Sequence, residues 1–305
     1  MRKVINKMHI NGYLYQHDLV EKVSGEKSKN PGTSFITGTI EIATDDDCIN
    51  VVPVHYTYVT PTTKNGGSNN TYIVLKNIIS GVYKTVMSDG KDKATKIVVD
   101  TAIDLNEFFS DRSGKEELVS VKRNEGGFIH VVNELEDADK RNKFNVDMLI
   151  TGVTTLEATE NRPEKMIVKG AIFNYRQALL PVEFSVTTSD GFSFFESLGA
   201  SNKTPVFLPI AGQQISETIK KEIVKEGVFG GPLVQTVTSS NKDYVITWAD
   251  EPYGWDTEDS ITAQELTELM TARQTYVATL KARNDEFKAQ KNAPATTPAV
   301  GGFNF

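Results

Sequence analysis

The 305-residue chain holds a single cysteine, Cys48. That excludes an internal disulfide and a multi-cysteine zinc site, and it fits a reducing compartment. It holds four histidines, at positions 9, 17, 55 and 130, so a zinc site would have to draw on carboxylates. No apolar run approaches the about 20 residues of a membrane-spanning helix. The basic start, Met1-Arg2-Lys3, has no apolar stretch behind it, so no signal peptide is expected and the cytoplasm is the expected location. A basic excess is missing too. Against 33 Lys and Arg stand 40 Asp and Glu, for a net charge of −7. Nucleic-acid affinity would therefore need a local cluster and stacking, not a whole-molecule field.

Catalytic signatures are also lacking. Gly90-Lys91 is followed by Asp92 and has no upstream glycine, so it is not a phosphate loop. No H-E-x-x-H, G-x-S-x-G or dinucleotide fingerprint occurs. Asp45-Asp46-Asp47 reads as a solvated turn with too few oxygen ligands for calcium. The expectation is a protein that is not an enzyme and takes no cofactor or metal.

What is present is an internal repeat. Ile36-Thr37-Gly38-Thr39-Ile40-Glu41-Ile42 and then Val52-Pro53-Val54-His55-Tyr56-Thr57-Tyr58-Val59 is echoed by Val168-Lys169-Gly170-Ala171-Ile172-Phe173-Asn174 and then Leu180-Pro181-Val182-Glu183-Phe184-Ser185-Val186. Upstream, His9-Ile10-Asn11-Gly12-Tyr13 matches Leu149-Ile150-Thr151-Gly152-Val153. Downstream, 117–121 and 128–131 match 232–236 and 244–247. Alternation marks these segments as strands, with Val52, Val54, Tyr56 and Tyr58 on the core face. Gly38 and Gly170, inside strand patterns, suggest a bulge or tight corner. Asn70–Ile79 suits a strand or a short helix. Residues 213–226 read as a helix, with Ile215, Ile219, Ile223 and Val224 on one side and Gly227 as its stop.

Five strands with an interposed helix, twice over, predict a mainly β protein of two tandem OB-fold-like Greek-key barrels. The expected domains are 1–140 and 141–256, then a C-terminal helix within 257–291, capped by Ser260 or Thr262, and a flexible tail, 292–305, with an aromatic tip. Leu266, Leu269, Met270, Val277 and Leu280 form the helix's apolar stripe, to be packed on the second barrel or used in an oligomer contact.

OB-folds take single strands by stacking bases on rings and tracking phosphates with cations. Tyr13, Tyr15 and His17 alternate with Leu14 and are expected to point outward together. In the second copy Phe173 and Tyr175 are the candidate rings, with Lys169 and Arg176 beside phosphate. Lys122, Arg123 and Lys242 are placed in the loop between the last two strands. Each of these residues has a plainer reading, as sheet packing, interdomain packing or surface solvation. Tyr56, Tyr58 and Trp248 are assigned to the core, and Trp255 stays open.

The two repeated strand pairs and the stretch Asp250-Glu251-Pro252-Tyr253-Gly254-Trp255-Asp256 resemble phage and mobile-element single-stranded DNA-binding proteins with OB-folds, over about residues 5–256. The resemblance implies protection of single-stranded DNA in replication or recombination within a bacterial host. The tail is similar to those of bacterial single-stranded DNA-binding proteins, whose acidic tips dock on replication and repair enzymes. Phe303 and Phe305 are the candidate partner-binding residues. The acidic tip is missing, because Asp285 and Glu286 are the last acids. The alternative is a structural or assembly protein of a virion, built from tandem β-domains.

Overall fold

β-branched and aromatic residues in alternation leave this chain few options besides strands. In the computed structural model, which describes residues 4–159, 163–225, 229, 231, 233–254 and 260–292, they form eleven. In chain order these are β1 (Asn6–His17), β2 (Val20–Val23), β3 (Ser34–Ala43), β4 (Val51–Val59), β5 (Lys96–Ser110), β6 (Glu117–Val131), β7 (Asn142–Leu156), β8 (Lys165–Phe173), β9 (Leu179–Val186), β10 (Val206–Lys225) and β11 (Leu233–Ala249). The helices are α1 (Asn70–Ile79), a short α2 (Val86–Asp89), α3 (Ser189–Ser197) and α4 (Ala263–Asn292).

Strand order defines two closed barrels of one topology. In the first, β1 pairs with β3, β3 with β4, β4 in parallel with β6, β6 with β5, and β5 with β1. In the second, β7 pairs with β8, β8 with β9, β9 in parallel with β11, β11 with β10, and β10 with β7. A helix falls between the third and fourth strands of each: α1, capped by Asn69, and α3, capped by Thr188. This is the OB-fold arrangement, made twice.

The barrels join through their first strands. β1 and β7 run antiparallel, with Asn6 opposite Val146 and Ile10 opposite Asn142. With Ile10 and Ile150 equivalent in the repeat, Asn6 and Val146 are equivalent too, so the join is two-fold about that pair. A buried polar network braces it. Asn142 Nδ2 donates to Gln214 O (2.6 Å), Asn50 Nδ2 donates to Gln214 O (3.2 Å), and Ser216 N donates to Asn50 Oδ1 (2.6 Å).

One expected element is wrong. Residues 213–225 belong to β10, not to a helix; Gln213 through Lys225 pair residue by residue with β11. The helix of the second copy is α3. Trp248, assigned to the core, stands 50% exposed near the end of β11.

The chain divides into two compact units, one of Met1–Leu105 with Lys122–Thr262, the other of Asn106–Val121 with Ala263–Phe305. The second unit is the tip of the β5–β6 hairpin with α4. Arg273 forks onto Glu107, one branch at 2.6 Å, and Ser120 Oγ donates to the same carboxylate (2.6 Å). Glu116 receives Lys281 (2.7 Å), Lys288 (2.8 Å) and Asn284 Nδ2 (2.7 Å). Met270, expected in the helix's apolar stripe, is 52% exposed.

Candidate nucleic-acid interface

The outer surface of the first barrel's second and third strands is shaped by a bulge. Gly38 lies opposite Tyr56, but Ile36 lies opposite Val59, so two steps on β3 match three on β4. The extra residue reverses the alternation. Val59 takes the inward place against the core, and Tyr58, expected inside, turns out and is 45% exposed. Phe35 points out beside it, with ring centroids 4.5 Å apart. Ser24 Oγ and the Tyr58 hydroxyl are hydrogen-bonded at 3.1 Å, which fixes the ring's tilt. Lys22 on β2 is directly opposite Phe35 and exposed. Further along, Thr39 Oγ1 and His55 Nδ1 meet at 3.2 Å, and Thr57 donates to Glu125. Gly38 has φ +132°, and a Cβ there would come within 2.8 Å of Leu19 Cα, so glycine is required beside the bulge.

From the sequence Tyr58 is expected in the core, and Phe35 is not among the candidate residues. The available signal was Tyr58-Val59, two bulky residues in succession where strict alternation allows one.

A second bulge disperses the Tyr13, Tyr15, His17 set. Leu14 faces Ile42, while Gln16 faces Glu41, leaving Tyr15 as the extra residue. Beyond it His17 is opposite Ile40, an inward position, and its Nδ1 accepts from Leu19 N (3.2 Å). Burial lowers the imidazole's pKa there, against the pull of Asp18. His17 lines a cleft of about 480 Å³ with Gln16, Ile78, Tyr83 and Met87. Tyr13 and Tyr15 remain on the outer face but half-buried, and Lys91 Nζ lies 5.2 Å from the Tyr13 ring centre.

In the second barrel Phe173 is 1% exposed and packs edge-to-face on Phe207 at 5.9 Å, so it is a core ring and not a stacking platform. Tyr175 is 78% exposed in the β8–β9 turn. Arg176 Nε donates to its hydroxyl (2.6 Å), and the guanidinium lies 5.2 Å from the ring centre. Lys169 is exposed on β8, 3.9 Å from Glu183.

Lys122, Arg123 and Lys242 lie within the last strands, β6 and β11, not in the loops before them. Lys242 is exposed. Arg123 Nε is 2.8 Å from Glu125 Oε2. Lys122 reaches into the second barrel. Its ammonium lies 5.3 Å from the Phe184 ring centre and 5.1 Å from that of Tyr244, and donates to the Glu183 carbonyl. Burial pushes this ammonium below the usual lysine range, with Asp243 and Glu183 pulling it back. Phe303, Phe305 and Trp255 lie outside the described residues.

Among the described residues no group of three or more His, Cys, Asp or Glu is placed to hold a metal ion. No described helix is long and apolar enough to cross a membrane.

Two closed five-stranded barrels with a shared helix position make this a tandem OB-fold protein. The chain belongs to the YorF family, whose model matches residues 5–283. No curated protein matches it. Among solved structures it is similar to the wild-type single-stranded DNA binding protein from Thermus aquaticus, at 12% identity and a TM-score of 0.44, over 85% of this chain and 98% of that one. A deletion mutant of the same protein gives 11% identity and a TM-score of 0.45, over 85% and 100%. The fold assignment rests on the strand order itself.

Proposed function

We propose that this protein binds single-stranded DNA without strong sequence preference, in phage or mobile-element replication or recombination. The observation that carries the reading is the Phe35–Tyr58 pair on the second and third strands of an OB barrel, where a bulge turns Tyr58 outward beside Phe35. OB-folds take oligonucleotides across that face, and stacking on rings tolerates any base. A base stacks on the open side of Tyr58, with Lys22 beside the backbone. Tyr175, Arg176, Lys169 and Lys242 serve the second barrel. The genetic setting follows from the resemblance of the repeated strand segments. We assign contact with replication or recombination proteins to Phe303 and Phe305.

The test is binding of labelled oligo-dT to Phe35→Ala/Tyr58→Ala. A loss of about 1–3 kcal/mol per base unstacked is expected. Unchanged affinity in a folded double variant would remove this face from the account.

A further inference from the structure

We infer that the two barrels offer one continuous track to a single strand, and that Lys122 is the positioning residue that sets one half of the track against the other. The inference rests on the single-strand reading above.

Lys122 and Asn124, two residues apart on β6, share a side of the strand. Asn124 Nδ2 donates to Pro53 O on β4 (3.0 Å) and to Gln214 Oε1 on β10 (2.7 Å), and its Oδ1 accepts from Tyr244 (3.2 Å). The Lys122 ammonium donates to Glu183 O on β9. β4 and β9 are the third strands of their barrels; β4 carries Tyr58, and β9 places Glu183 opposite Lys169 of β8. One strand thus holds a main-chain carbonyl of each. β4 is hydrogen-bonded to β6 through Val54 opposite Asn124 and His55 opposite Glu125. On the other side of β6, Glu125 lies opposite His55 and accepts from Thr57, and Arg123 Nε is 2.8 Å from it. A methionine would cover the Phe184 and Tyr244 rings as well as Lys122 does, without burying a cation. What the ammonium adds is a directed bond to β9, and so a fixed distance between the faces.

The experiment is fluorescence anisotropy with oligo-dT of about 6 and about 25 nucleotides, lengths matched to one and to two barrels. Wild type should bind the longer strand at least about a hundredfold tighter, beyond the statistical gain from extra positions. Lys122→Met should keep short-strand affinity within about twofold and lose at least tenfold of the length gain; Lys122→Arg should restore it. Lys122→Gln, shorter and uncharged, should show the same loss and serves if Lys122→Met is unstable. A folded Lys122→Met or Lys122→Gln that keeps the whole gain overturns the role of Lys122. A wild type that binds short strands without any length gain overturns the continuous track while leaving single-strand binding intact. A wild type that binds neither length overturns the functional reading itself.

Discussion

Asn124 is 1% exposed, and both ends of its amide are bonded. Its partners come from β4, β10 and β11, so one side chain satisfies polar atoms of both barrels. Asn124→Ala leaves Gln214 Oε1 and the Tyr244 hydroxyl unpaired in a buried site. The expected cost is about 2–3 kcal/mol, read by chemical denaturation; a change below about 0.5 kcal/mol would mean that water replaces the amide. Tyr244→Phe removes only one bond and should cost about 1 kcal/mol. At this scale the sequence is least legible. Alternation placed Val52, Val54 and Tyr56 correctly in the core. It failed at Tyr58, within a bulge, and at His17, just past one, because one added residue reverses the alternation there. It failed at Phe173 for a different reason: Phe207, 34 residues away in sequence, closes over a ring that alternation alone would leave outside.

Helix α4 and the hairpin tip it packs on are held by charge. Glu107, whose side chain is 2% exposed, accepts both branches of the Arg273 guanidinium. Glu107→Ala leaves that cation without its partner, and a local loss of about 3 kcal/mol is expected. Hydrogen exchange of α4 amides would report it, with the barrel amides unchanged. Glu116 is half-buried, and hydrogen bonds from Lys281 and Lys288 pull its pKa down to about 2. A depressed carboxylate pKa contributes stability above the ordinary value of 4.5, and that contribution is lost as pH falls towards 2. Exchange protection in α4 should therefore drop across that window, and in Glu116→Gln the drop should shrink. Among the elements, α4 was legible from its capping candidates and the helical spacing of Leu266, Leu269, Met270, Val277 and Leu280. The β10 segment was not. Ile215, Ile219 and Ile223 recur every four residues, a spacing that fits a helix face and, being even, one face of a strand. Pairing with β11 along the whole segment decides for the strand.

The whole molecule repeats one barrel twice about the Asn6–Val146 pair, and the repeat was visible because four segments recur in order. The join was not, since nothing in β1 or β7 distinguishes a strand that pairs between barrels from one that pairs within its own. Charge also takes its meaning at this scale. Lys76 is paired with Glu21, Arg123 with Glu125, Lys165 with Asp243 and Lys169 with Glu183, so some of the cations near the two faces already have a carboxylate. Lys22, Arg176 and Lys242 are left to displace counterions from phosphate, and stacking has to supply much of the affinity. The most direct test is anisotropy of the full chain with labelled poly-dT at low and moderate salt, with duplex DNA as competitor. The account predicts binding that duplex does not displace, with log K falling against log salt at a slope of about −2, equivalent to about three phosphates. No binding to poly-dT at low salt would contradict it.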